Sequence, residues 1–122
     1  MRNKVLIVDD ESMICEVGVE MFDMLGYEAF SAETLEAAVE VWKVNHADIG
    51  LVILDLNLRG VTGIEVFTAL KEIDGSINGA LASGEFIESD APKFKALGFI
   101  DILLKPYKLN TLQELCGKYL EG

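Results

Sequence analysis

Five short apolar runs alternate with stretches in which apolar residues recur at helical spacing, and this alternation constrains the fold more than any other feature. The runs are KVLIVD (4–9), YEAFS (27–31), LVILD (51–55), INGALAS (77–83) and FIDILL (99–104). Between the first two, Ile14, Val17, Met21, Met24 and Leu25 recur as one helical face, with Gly26 as its stop. Leu35, Ala38, Val39 and Trp42 mark a second helix. The third opens on a capping-box pattern, Thr62 to Glu65, and buries Ile64, Phe67 and Leu70. A short helix follows from about Ala91, with Pro92 in its first turn and Gly98 closing it. Asn110 to Gln113 begins a last helix, which runs through Leu112, Leu115, Cys116 and Tyr119. Gly117 inside it costs about 1 kcal/mol relative to alanine. INGALAS is the weakest strand, because Gly79 and its small neighbours lower strand propensity. Strict strand–helix alternation predicts an α/β fold: a doubly wound parallel sheet with helices on both faces.

The 122 residues fit one domain, 1–122, and 51% hydrophobic content is enough for a core. No apolar run reaches the ~18 residues of a membrane span, and acidic residues follow the start too soon for a signal peptide. Ten Lys and Arg against 21 Asp and Glu give a net charge of −11. Such a surface repels phosphate backbones and anionic lipids, so neither nucleic-acid binding nor membrane insertion is expected. It tolerates divalent cations and basic protein faces. Cys15 and Cys116 lack metal-ligand spacing and read as reduced, core-facing thiols of a cytoplasmic protein.

The polar residues fall at the strand ends. Asp9 and Asp10 close the first run, Asp55 the third, Ser83 the fourth, and Lys105 follows the fifth. Each has an ordinary reading: favourable charge at a helix start, a strand surfacing into water, a turn, a solvated lysine. Together they share one edge, where the carboxyl ends of parallel strands form a ligand crevice. If the first and third strands are neighbours, three carboxylates converge. Uncompensated, their pKa values would rise; a hard divalent cation such as Mg²⁺ resolves the conflict.

In VLIVDDE (5–11), LVILDLNLRGVTG (51–63), LASG (81–84) and GFIDILLKPY (98–107), the chain resembles the receiver domain of response regulators. The likeness spans essentially the whole sequence. It implies a flavodoxin-like, CheY-like sheet of order 2-1-3-4-5 and a function as a phosphorylation-dependent switch in two-component signalling. Asp55 would accept a phosphoryl group from a histidine kinase or histidine phosphotransfer domain. Asp9, Asp10, Asp55 and the backbone carbonyl of Asn57 would hold Mg²⁺ or Mn²⁺, with Asp10 the expected direct ligand of the acidic pair. Ser83 and Lys105 would bind the phosphoryl oxygens, and the Lys105–Pro106 bond would be cis. Asn57 and Glu85, two residues beyond Asp55 and Ser83, would flank the attacking water and tune dephosphorylation.

Three residues depart from the pattern. Arg59 replaces the usual proline, which is expected to loosen the loop after Asp55. Thr62 replaces a frequent aspartate but remains a competent cap. Ile102 occupies the switch position normally held by Tyr or Phe. Phe99 would point to the opposite face of a regular strand and Tyr107 lies past Pro106, so neither substitutes simply. The wording around the site is nearest to C-terminal receivers of hybrid sensor histidine kinases, which favours the cytoplasmic portion of such a kinase over a free-standing regulator. The sequence carries no DNA-binding domain; a protein partner or a dimer would read the switch. An aspartyl phosphatase is disfavoured by Asn57, which stands where a second acid is usual. A phosphorylation-independent interaction module is disfavoured by the complete acidic and basic set. The chain itself is expected to be a switch rather than a turnover enzyme.

Overall fold

Each predicted run folds as a strand and each periodic stretch as a helix. The structure, a computed structural model, describes residues 2–85 and 88–120, with Glu88 described by its backbone alone. The order is β1 (Lys4–Val8), α1 (Ser12–Met24), β2 (Ala29–Ala32), α2 (Leu35–Asn45), β3 (Ile49–Asp55), α3 (Gly63–Ile73), β4 (Gly79–Ser83), α4 (Ala91–Ala96), β5 (Asp101–Leu104) and α5 (Leu109–Tyr119). All neighbouring strands pair in parallel, in the order β2-β1-β3-β4-β5.

The two-residue strand period divides the core. Leu6, Val8, Val52, Leu54 and Leu81 face α2, α3 and α4, while Val5, Ile7, Leu51, Ile53, Ala80 and Ala82 face α1 and α5. All seven residues of β3 are buried, as the central strand of a sheet covered on both faces must be. Trp42 is fully buried on α2, and its indole N–H donates to the Leu70 carbonyl of α3 at 2.9 Å. Thr62 caps α3 with both halves of the predicted box. At Gly79 a Cβ would lie 2.7 Å from the Phe67 ring, so the residue that weakens β4 as a strand is the one that lets α3 seat on it.

Four local expectations are corrected. The buried seam of α1 is Cys15, Gly18 and Phe22; Ile14, Met21 and Leu25 only flank it, and Val17 and Met24 are exposed. At Gly18 the helix approaches β1 so closely that a Cβ would stand 2.7 Å from Ile7 Cδ1. A seam centred on a small residue is invisible to a count of large apolar ones. Helix α5 begins at Leu109, with Lys108 at the cap; Asn110 instead accepts from the Thr111 N–H. Phe99 precedes β5 and joins the same core cluster as Ile102, its ring 4.2 Å from that of Phe67. The parity rule failed there because the residue lies outside the strand. The loop after Asp55 is not loosened by Arg59: Leu58 N–H donates to the Val61 carbonyl, Gly63 N–H to the Leu56 carbonyl, and Asn57 bridges Thr62.

At the sheet edge opposite the strand carboxyl ends, Asp74 caps α3 and gathers three neighbours. Ser76 donates to it through its hydroxyl and N–H, His46 Nδ1 lies at 2.7 Å, and the Arg2 guanidinium at 3.0 Å. The Ser76 bonds first, then His46, hold this carboxyl well below the usual range. No described helix is long and apolar enough to cross a membrane.

Candidate functional site

The carboxyl ends of β1, β3, β4 and β5 form a crevice whose members were all flagged in the sequence. Register places Val8 beside Leu54, so the residues that follow, Asp9 and Asp55, emerge side by side. Asp9, Asp10 and Asp55 each bring a carboxylate oxygen within 4.8 Å of the others. Asp9 is fully buried and Asp55 is 6% exposed. Lys105 Nζ bridges the two, at 3.1 Å from Asp9 Oδ2 and 3.2 Å from Asp55 Oδ1. The other Asp9 oxygen accepts the Glu11 N–H at 3.0 Å. Asp10 is partly open and meets the Arg59 guanidinium at 3.6 Å.

The positioning is built into the backbone. Leu56 N–H continues the sheet to the Ala82 carbonyl, and a Cβ at Gly63 would collide with the Asp55 carbonyl oxygen. Only glycine lets α3 start this close to the strand end. Lys105 N–H donates to the Ser83 carbonyl, which ties β5 to β4 at the crevice. The Lys105–Pro106 bond is cis, as the resemblance implied.

Charge and burial set the proton affinities. Burial, then the Asp9 charge, pushes the Asp55 carboxyl above the usual range, with Lys105 opposing both. Burial works against the Lys105 ammonium, yet the hydrogen bond and charge of Asp9, reinforced by Asp55, hold its pKa above the ordinary value. One partly buried cation shared by two buried carboxylates, with Asp10 beside them, leaves a net negative site. Three hard oxygen donors and this residual charge fit Mg²⁺ or Mn²⁺.

The other half of the crevice differs. Ser83 Oγ donates to the Glu85 carbonyl at 2.7 Å and accepts the Glu85 N–H at 3.2 Å, so the hydroxyl is engaged with its own loop. A cleft of about 190 Å³ is lined by Asn57, Ser83, Glu85 and Ile102, together with apolar neighbours and Asp90. It brings the two positions expected to flank an attacking water to one opening. Ile102 is half-buried at its wall.

Two neighbours of the site were not given roles from sequence. The buried Cys15 thiol donates to the Asp9 carbonyl oxygen at 3.3 Å, and burial pushes its pKa up to about 11, so it packs rather than reacts. Tyr107 tucks beneath α1 with a buried hydroxyl that has no hydrogen-bond partner among the described residues. The sequence signal for Tyr107 was only its place after Pro106.

Residues 5–116 match the family model described as the response regulator receiver domain. The chain belongs to that family. It is 30% identical over 120 residues to sporulation initiation phosphotransferase F of Bacillus subtilis, covering 98% of this chain and 95% of that protein. It is 31% identical over 116 residues to the autoinducer 1 sensor kinase/phosphatase LuxN of Vibrio campbellii, covering 95% of this chain but 13% of LuxN. Among solved structures, the chemotaxis protein CheY4 of Vibrio cholerae superimposes with a TM-score of 0.84 at 25% identity, covering 98% of this chain and 100% of that one. This chain is therefore a receiver of two-component signalling, a switch module.

Proposed function

We propose that Asp55 is the phosphoacceptor, charged by a histidine kinase or histidine phosphotransfer domain, over a receiver unit that spans residues 1–122. The observation that carries this reading is the meeting of Asp55 with Asp9, Asp10 and Lys105 at one strand edge. In the transfer, an Asp55 carboxylate oxygen forms a bond to phosphorus. The phosphorus–nitrogen bond of the donor phosphohistidine breaks, and its electron pair returns to the imidazole, which takes up a proton.

Asp9, Asp10, Asp55 and the Asn57 backbone carbonyl would hold Mg²⁺, or Mn²⁺. When bound, the ion supplies positive charge that offsets the transferring phosphoryl group. Lys105 supplies a second, permanent positive charge to the phosphoryl oxygens, and by bridging Asp9 and Asp55 it holds the acceptor oriented. Ser83 binds a phosphoryl oxygen after its hydroxyl exchanges the Glu85 carbonyl for it. Hydrolysis reverses the loading: water attacks phosphorus, the acyl-phosphate oxygen leaves as the Asp55 carboxylate, and inorganic phosphate departs. Asn57 and Glu85 line the approach. The protein works in the cytoplasm, free or as part of a larger sensor.

Treatment with acetyl phosphate and Mg²⁺ should add one phosphoryl group to the intact protein by mass spectrometry. Asp55→Asn should remove that gain, and equal labelling of the variant would overturn the assignment. The near-complete overlap with phosphotransferase F favours a free-standing regulator, whereas the match to a small part of LuxN favours a receiver within a sensor kinase. A kinase core encoded upstream in the same reading frame would decide for the latter.

A further inference from the structure

Among the described residues, two cations make ion pairs with the acidic triad, and they are unlike each other. Lys105 is nearly enclosed and holds Asp9 and Asp55. Arg59 has a 90% exposed side chain and reaches the remaining carboxylate, Asp10, through Nε at 3.6 Å. Its position is set by the backbone. Arg59 and Gly60, whose φ is +79°, form the tip of a turn closed by the Leu58–Val61 hydrogen bond and the Asn57–Thr62 bridge. The turn is anchored at one end by Asp55 and at the other by the capped start of α3. A guanidinium is therefore delivered to the open side of the one triad carboxylate that Lys105 does not pair.

We infer that Arg59 is an intrinsic competitor of the metal ion: it neutralises Asp10 in the metal-free protein and must leave that carboxylate when Mg²⁺ binds. This inference rests on the proposed metal-assisted phosphoacceptor role and adds a regulator of metal affinity. The physical basis is a charge balance. Three carboxylates against Lys105 alone leave two negative charges; Arg59 reduces that to one, at a place where a divalent ion would carry the opposite charge. Because Arg59 is exposed, its departure breaks a solvent-screened contact, so it sets the metal concentration needed without blocking the site. A proline at this position would leave Asp10 without that counter-charge. Arg59 is thus a positioning residue acting through Asp10.

Isothermal titration of the full chain with magnesium chloride, at low and high salt, tests this directly. Arg59→Gln should bind Mg²⁺ roughly two- to fivefold more tightly than the parent at low salt, the range open to an exposed ion pair. The gain should shrink at high salt. Arg59→Lys should restore much of the parent's weaker affinity. Lys43→Gln removes the same formal charge from an exposed position in the last turn of α2 and should change affinity little. In an Asp10→Asn background, the Arg59 substitution should lose its effect. Equal or weaker binding by Arg59→Gln, or a gain that persists without Asp10, would overturn the inference while leaving the phosphoacceptor reading intact. Failure of both parent and variant to bind Mg²⁺ would overturn both.

Discussion

The two halves of the strand-edge crevice are in different states of readiness. Around Lys105, every charged group already holds a partner: Asp9 takes the ammonium and a backbone amide, and Asp55 takes the ammonium. Around Ser83, the hydroxyl is engaged with Glu85, an aliphatic Ile102 lines the wall, and Asn57 and Glu85 border an open cleft. On the proposed phosphoacceptor reading, the first half already holds its acceptor and cation together. Loading asks only that Arg59 and Lys105 shift from carboxylates they now pair. On the same reading, the second would have to exchange the Ser83–Glu85 bond before it could register that chemistry. Accepting a phosphoryl group and reporting it would, on that reading, be separable steps in this protein.

The separation is broken most severely at Lys105. Lys105→Met removes the one cation shared by two buried carboxylates and should lower stability at neutral pH by about 3 kcal/mol. Acidification should narrow the gap. The Asp55 carboxyl, whose pKa burial and the Asp9 charge already raise, loses the opposing Lys105 charge and binds a proton more readily in the folded protein. Chemical denaturation at several pH values reads both effects. A Lys105→Met protein as stable as the parent at neutral pH would show that the first half is not held by this bridge.

Asp55→Asn tests the same half with the opposite sign. The Asp55 pKa is raised on folding, so its contribution to stability is fully present below the ordinary carboxylate value and is lost as pH rises through the raised one. The neutral variant should therefore be more stable than the parent at neutral pH, by on the order of 1 kcal/mol. The advantage should vanish in acid. Thermal melts without metal check the sign, and a less stable variant at neutral pH would mean that the Lys105 contact outweighs burial and the Asp9 charge.

In the second half, the cleft should set how long the phosphoryl group survives. Asn57→Met and Glu85→Leu are each expected to slow its hydrolysis several-fold by narrowing the approach, followed as decay of the phosphorylated mass. Unchanged decay in both would remove these side chains from any control of access. The smallest effect is expected at Ile102. A beryllofluoride mimic should produce amide chemical-shift changes concentrated in the loops after Asp55 and Ser83, with little along α4 and β5. Introducing the ring with Ile102→Tyr should extend them into that face. Equally broad changes in the parent would show that Ile102 transmits the signal as well as a ring does.

What could be read from sequence follows the same division. The strand order came from the family resemblance. The strand–helix alternation and the acidic strand ends were legible because buried strands read as apolar runs and their charged ends stand out against them. The buried face of α1 was not, because close packing at Gly18 favours the absence of a side chain. Phe99 was placed by a period that applies only inside a strand, and β5 starts two residues later. Ser83 was legible as a residue type, but the direction of its hydroxyl depends on the turn it shares with Glu85. Arg59 stood out only as a departure. Its contact with Asp10 depends on where the turn between Leu58 and Val61 aims its tip, which residue identity alone does not specify.

Trp42, the chain's one tryptophan, has a spectroscopic consequence. Its indole is fully buried between α2 and α3, donates to the Leu70 carbonyl, and stacks at an angle 5.8 Å from His46, near the Asp74 cluster. Those partners lie toward the sheet edge away from the carboxylate triad. Intrinsic fluorescence will accordingly follow unfolding closely, because losing the core exposes the indole to water. It will respond weakly to metal or phosphoryl loading at the far edge. An optical probe of the switch has to be installed near the crevice, and the native emission then serves as an internal reference for an intact fold.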